Sequence, residues 1–370
     1  MIAPPLDGRD VPQLHALTGL RGLAAWMVVL YHVRGSLTQL LPGEAIEIFA
    51  KGYLAVDLFF MLSGFVMWLN YGPRFRANGF GEARGFWWKR FARIWPLHAL
   101  VLLGMIGFVL ALIGSGRDAA GYPLKELPLH ILLLQNWGFT GALSWNHPAW
   151  SISTEMAAYV IFPVLACLVP WERLRPAILL LIVAMLFAVL ATSFLAMGYA
   201  TLGEDIPRMG LIRCLAEFSA GIALCALWQQ WREREGVAFW CLAAFTVLGI
   251  VATELSLPEV IFAPAVLASL MLALALDTGR ISQILGGRVL RWLGDVSYAT
   301  YLTHFFVFVL FKIAFVGSEM QIGWGGLALY LVTVLGASAM LYHNFEKPAQ
   351  RWLNSRAPAF ARFKRAATPP

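Results

Sequence analysis

Apolar runs close to the ~20 residues needed to cross a bilayer recur from one end of this chain to the other, and they limit what it can fold into. Hydrophobic residues make up 59% of the 370 and charged residues only 13%, where soluble domains hold about 45–50% and about 25%. A water-soluble core cannot hide that much apolar surface. Lipid offers the backbone no hydrogen-bond partner, so each run must satisfy its own as a helix. Period and length place spans at 16–34, 49–70, 90–113, 150–169, 177–198, 209–230, 238–255, 259–276, 294–316 and 324–345. A weaker piece, 127–139, is too short to cross alone and reads as an interfacial or re-entrant helix in the long loop 114–149. The expectation is an all-α membrane protein: a bundle of about ten transmembrane helices over 1–350, with a short basic tail at 351–370.

The net charge of +7 would suggest nucleic acid in a soluble protein. Here the basic residues lie between spans and report topology instead, because cytoplasmic loops collect Lys and Arg. On the ten-span placement, 21 of the 28 fall on one side and five on the other, with Arg213 and Lys312 inside spans. Both termini are therefore expected in the cytoplasm, and no nucleic acid as a partner. Cys167, Cys214, Cys225 and Cys241 lie in apolar stretches without metal-type spacing and read as packing residues, so no metal is expected. The first run carries Arg21 and His32 and no small-residue cleavage site follows it, which argues against a cleaved signal peptide.

Ionisable groups at membrane depth are costly, by about 2.5–3.5 kcal/mol on insertion scales, and each is a candidate for function. His32 lies roughly 16 Å above Arg21 by helix rise. Asp57, counted down the second span, comes to nearly the same depth, and His304 on the ninth is also near the midplane. A carboxylate beside an imidazole makes a general base; the alternative is a polar contact that only packs two helices. Tyr298, Tyr301 and His304, three apart, form either part of a site or a packed helix face. Arg90 and Arg93 share a helix face at the inner rim with Lys89 beside them, which suits phosphate groups, or ordinary basic residues on the cytoplasmic side. Glu155 is expected in the outer half, free or clamped to Arg213, and Arg213 and Glu217 are expected to pair at i, i+4.

Several of these segments resemble one family. Leu17-Thr18-Gly19-Leu20-Arg21-Gly22-Leu23-Ala24-Ala25, continuing to Tyr31-His32, resembles the opening of the acyltransferase-3 family of integral membrane O-acyltransferases, with its basic residue, ten intervening positions and histidine. Ala55 to Phe65, around Asp57, is similar to that family's second-helix pattern, and Arg90-Phe91-Ala92-Arg93 to its R-x-x-R. Trp150 to Glu155, Arg213 with Glu217, Phe218 and Gly221, Ser297 to His304, and Glu346-Lys347-Pro348 follow in the family's order. Ala55 and Met156 depart from it, where glycine and a second acidic or polar residue are frequent; the second departure bears on acceptor handling.

The resemblance implies an O-acyltransferase moving an acyl group, an acetyl by preference, from cytoplasmic acyl-CoA to a hydroxyl of a carbohydrate or lipid-linked sugar, in a bacterial inner membrane among its lipids. It implies His32, Asp57 and Glu155 as catalytic, Arg21, Arg90 and Arg93 as donor-binding, and Arg213, Glu217, Tyr298, Tyr301 and His304 as acceptor-side residues. His32 would act as general base or as acyl carrier. The rival reading is a proton-coupled transporter or channel using the same ionisable residues, though no internal repeat of the transporter kind is found.

Overall fold

The computed structural model describes residues 14–316 and 321–361. Fourteen α-helices run in chain order: α1 His15–Val33, α2 Gly43–Ala50, α3 Ala55–Asn78, α4 Ala83–Gly114, α5 Leu127–Leu132, α6 Ala149–Leu168, α7 Pro176–Ala196, α8 Ile206–Trp231, α9 Val237–Glu254, α10 Glu259–Leu276, α11 Arg280–Leu285, α12 Arg288–Phe315, α13 Trp324–Leu341 and α14 Lys347–Ser355. No strand is present among the described residues. Among the described residues ten helices are eighteen residues or longer, one for each expected span, and together they form a polytopic membrane bundle. Prolines start several of them: Pro176 of α7, Pro207 of α8 and Pro348 of α14 lie in first turns, where the missing N–H is no loss. The last span ends at Leu341, and a π-turn, Tyr342–Glu346, leads into α14. α14 crosses the expected boundary at 350 and lies along α4, where the Trp88 indole donates to the Leu353 carbonyl at 3.2 Å. Arg9, Arg362, Lys364 and Arg365, counted in the charge split, lie outside the described residues.

Two helix pairs set the core. α3 and α8 touch backbone to backbone: a Cβ on Gly64 would fall 1.9 Å from the Phe218 carbonyl oxygen, and one on Gly221 1.9 Å from that of Met61. Lipid gives apolar side chains no reason to leave it for one another, so contact of this kind through small residues is what holds such helices together. α1 and α12 run parallel, in contact from Gly22 and Gly294 at one end to His32 and His304 ten residues on. α9, by contrast, buries only Ala252 and turns Phe239, Trp240, Val247 and Ile250 outward, as a lipid-facing helix does.

The loop after α4 folds back into the bundle. Trp95 donates to the Ile131 carbonyl at 3.0 Å and His98 Nε2 to that of His130 at 2.8 Å, about halfway along α4. Trp145 is fully buried against Leu102, Met105 and Val109. The stretch 127–139, read as an interfacial or re-entrant helix, thus packs against the inside of the bundle, and its helix, α5, is only six residues long.

Candidate active site

Three arginines from two helices meet at one cavity of about 180 Å³ near the basic end of the bundle, the end at which α1, α4 and α12 begin. Arg21 of α1 donates from Nε and Nη2 to the Gly294 carbonyl, at 3.1 and 2.7 Å. Arg90 of α4 donates to the Tyr71 hydroxyl at 3.0 Å and lies 5.8 Å from the centre of the Tyr159 ring. Arg93, one turn on, is ion-paired with buried Glu346 and lies 5.2 Å from the centre of the Tyr298 ring. Glu155 and Tyr159 of α6 also line it; the Tyr159 hydroxyl donates to Glu155 Oε1 at 2.5 Å and receives a hydrogen bond from Ser63 at 2.9 Å. Guanidinium groups with spare N–H donors around one carboxylate make a site for anionic oxygens.

The opposite end of the cavity is closed by Tyr301 of α12 and Phe59 of α3, ring centres 5.7 Å apart. The Tyr301 hydroxyl donates to the Pro148 carbonyl at 3.1 Å and lies 2.7 Å from Ser151 Oγ. Behind this wall is His304, whose ring centre is 6.0 Å from that of Tyr301, and beyond it His32.

The two histidines are joined. His304 Nε2 lies 3.2 Å from His32 Nδ1, and each Nδ1 faces a carbonyl on its own helix, Val28 at 2.9 Å from His32 and Thr300 at 3.1 Å from His304. A carbonyl only accepts, so both rings are assigned as Nδ1–H tautomers from this network. The single His32 Nδ1–H is then shared between the Val28 carbonyl and His304 Nε2, and the lone pair on His32 Nε2 is the one left over. Such an arrangement orients a base through its back nitrogen.

Several expected pairings are overturned. Asp57 does lie on the helix neighbouring α1, but its carboxylate is turned onto Arg213, which donates from Nε and Nη2 at 2.5 Å each, with both side chains buried. Equal height on two helices does not mean facing sides. Arg213 therefore does not pair with Glu217, whose carboxyl group is buried and turned to Asp57, within hydrogen-bonding reach of it. Glu155 is not in an outer layer and not clamped to Arg213; it lines the same cavity as Arg21, Arg90 and Arg93. The reason is that the start of α6 is sunk into the bundle, its Ser151 level with Tyr301, beneath the re-entrant loop. Arg213, Glu217 and His304 do not line the cavity, whereas Tyr298 and Tyr301 do.

Some site residues escaped the sequence reading. Tyr159 is one turn beyond Glu155, a spacing that could have flagged it. Glu346 was seen only as part of a motif, and nothing local tells that it reaches Arg93, 253 positions away in sequence. His147, whose ring stacks on Phe305 at 4.7 Å while Phe305 meets the His32 ring edge-on at 5.5 Å, sits in a loop with no periodic signal.

Comparison with known proteins gives the family. The acyltransferase-domain family (Acyl_transf_3) matches residues 14–343. The chain is 30% identical over 379 aligned positions to the acyltransferase MdmB of Streptomyces mycarofaciens, with 94% of each chain covered. It is 24% identical to the peptidoglycan O-acetyltransferase OatA of Listeria monocytogenes, over 80% of this chain but only 49% of that longer one. No solved structure matches it significantly. With a family match running through α1 to α13 and both signature basic clusters assembled around one cavity, the chain belongs to the acyltransferase-3 family of integral membrane acyltransferases.

Proposed function

We propose that the protein is an O-acyltransferase that takes an acyl group, an acetyl by preference, from acyl-CoA on the cytoplasmic side and delivers it to a hydroxyl of a carbohydrate or lipid-linked sugar. The observation that carries this reading is the convergence of Arg21, Arg90 and Arg93 on one cavity closed at its far end by Tyr301 and Phe59, with His304, roughly 15 Å along α12 from the Arg21 contact at Gly294, and then His32 behind that wall. The basic end faces the cytoplasm by the distribution of Lys and Arg, and the membrane is a bacterial inner membrane. The cavity is smaller than the ~300–1,000 Å³ of pockets that enclose whole drug-sized ligands. It takes the phosphate-bearing part of the donor, and the thioester reaches onward past Tyr301.

In the transfer, the acceptor hydroxyl gives its proton to His32 Nε2 as its oxygen attacks the thioester carbonyl. The carbon–sulfur bond breaks, and the departing thiolate takes the proton back from the imidazolium, so no net proton is gained or lost. His304 holds the His32 ring in the tautomer this requires. The Asp57–Arg213 pair fastens α3 to α8 behind the site and takes no part in the proton transfer. Purified protein incubated with [¹⁴C]acetyl-CoA and candidate acceptors tests the reading: label must appear in an ester of the acceptor. Uptake of label or protons into vesicles without any ester formed would replace it with transport.

A further inference from the structure

The re-entrant loop holds a second polar site. His130, Gln135, Asn136, Ser144, Asn146 and Trp150 surround a space of about 10 Å³ at the start of α6, with Ala142 and His147 at its margin, room for a single water or hydroxyl. Three of its buried polar atoms have no partner: Gln135 Oε1, Asn146 Oδ1 and His130 Nδ1. All three are acceptors. The Gln135 amide nitrogen donates to the Ala149 carbonyl at 3.1 Å and that of Asn146 to the Leu302 carbonyl at 2.8 Å, which fixes the orientation of each amide and leaves the oxygen unmatched. Ser144 donates to Glu126 Oε2 at 2.8 Å, so its oxygen must accept from His130 Nε2 at 3.0 Å, and His130 keeps a lone pair on Nδ1.

Three unmatched acceptors call for O–H or N–H donors. They repel anions, and no Asp, Glu, Lys or Arg lines the space to bind a charged group of either sign. The backbone is built for the purpose at some expense: Leu133 and Trp145, at either end of the segment, hold φ of 57° and 56°, a left-handed conformation uncommon for such bulky residues. The segment is nevertheless firmly tied down, since Asn136 N–H donates to Ser153 Oγ at 3.1 Å and the Trp137 indole to the Ser153 carbonyl at 2.8 Å. Its position is also apt: His147 at the margin stacks on Phe305, which touches the ring of His32.

We infer that this loop site, on the side of Tyr301 away from the arginine cavity, is where the acceptor is recognised, and that it takes a neutral, hydroxyl-rich molecule. This rests on the reading of the protein as a transferase to a hydroxyl. One acceptor hydroxyl enters the space and donates to Gln135, Asn146 or His130, while a neighbouring one is presented toward His32. The remainder of the ligand lies outward over the exposed stretch 138–142.

The test measures binding of methyl β-glucoside and methyl N-acetyl-β-glucosaminide to the full chain in nanodiscs by saturation-transfer NMR, with glucuronate and cyclohexanol as controls and acetyl-CoA affinity measured on the same samples. The neutral glycosides bind wild-type protein and the controls do not. Gln135→Met weakens glycoside binding by about tenfold, the loss of one hydrogen bond to a buried acceptor. Ala142→Trp, at the margin and outside every hydrogen bond named, blocks it even if Gln135→Met fails to fold. Acetyl-CoA affinity stays at the wild-type value in both. No glycoside binding by wild-type protein, equal binding of glucuronate or cyclohexanol, or unaltered glycoside binding by Ala142→Trp each overturns the inference. Failure of wild-type protein to bind acetyl-CoA, with glycoside binding intact, would instead remove the transferase reading and leave a glycoside site.

Discussion

Asp57 and Arg213 hold each other through two parallel 2.5 Å hydrogen bonds in the interior of the bundle, and so Asp57 is withdrawn from the histidine whose depth it shares. Removing one partner of a buried pair leaves the other charge uncompensated, at a cost of about 3–5 kcal/mol. Asp57→Ala and Arg213→Ala should each lower the yield and thermal stability of folded protein in detergent. The double variant Asp57→Leu/Arg213→Met should be more stable than either, since replacing a whole buried pair by apolar groups is often neutral. If instead Asp57→Ala keeps wild-type stability and loses only turnover, Asp57 belongs to the chemistry after all.

That misplacement marks the limit of what the sequence carried. The ten long helices were legible because each needs a long apolar run, and the Arg21-to-His32 spacing because one rigid helix fixes it. Helix rise gives height but not which way a side chain faces, and facing depends on contacts such as Gly64 against Phe218 that join distant segments. Counting height from the start of α6 places Glu155 too far out, because that start lies below the surface, inside the bundle. The polar loop that sinks it, with Gln135 tied to Ala149 and Ser153 to Leu133, has no periodicity to read.

The arginine cavity predicts a graded response to donor. Arg21→Ala, Arg90→Ala and Arg93→Ala should each raise KM for acetyl-CoA, by about tenfold or more for the loss of a charge-assisted hydrogen bond. Lysine at 90 or 93 should restore only part of this, because an ammonium lacks the planar fork. Steady-state kinetics at saturating acceptor decides it; an Arg90→Ala/Arg93→Ala variant that folds and keeps the wild-type donor KM would reduce the pair to topogenic charge.

The re-entrant loop should loosen in acid. Burial, with smaller contributions from neighbouring His98 and His147, pushes His130 down to about 4. The unfolded loop takes up its proton near pH 6.5, so the docked loop is at full stability above that pH and loses it as pH falls toward 4. Ser144 faces the same ring and links it to Glu126. Hydrogen exchange of peptides covering 124–148, corrected for the intrinsic pH dependence, should show protection falling between pH 6.5 and 4, and His130→Gln should remove that dependence. Equal protection at both pH values contradicts the assignment.

The orientation rests on the basic residues, and labelling checks it. Cysteines introduced in a background lacking the four native ones at Arg117 and Glu254 should react with an impermeant maleimide added outside intact cells, while those at Arg84 and Arg234 should react only after the membrane is opened. Outside labelling at Arg84 would invert the bundle, moving the arginine cavity away from cytoplasmic acyl-CoA.

The His32–His304 pair carries the mechanism. With both Nδ1 atoms committed to carbonyls, His32 Nε2 is the nitrogen able to accept the acceptor's proton, and a base of this kind typically contributes about 10²–10⁴-fold in rate. His32→Ala should lose that much of kcat while acetyl-CoA still binds, because the arginines lie roughly 15 Å away. His304→Ala leaves the base in place but frees its ring, so its loss should be smaller. His304→Gln, whose amide oxygen can accept from His32 Nδ1–H, should recover part of it. A purely structural role would show no such order, since both alanine variants would then lower stability and kcat together. Single-turnover rates on folded variants, with donor affinity measured in parallel, decide between them: a His32→Ala enzyme retaining more than about a tenth of wild-type kcat is incompatible with His32 as the base.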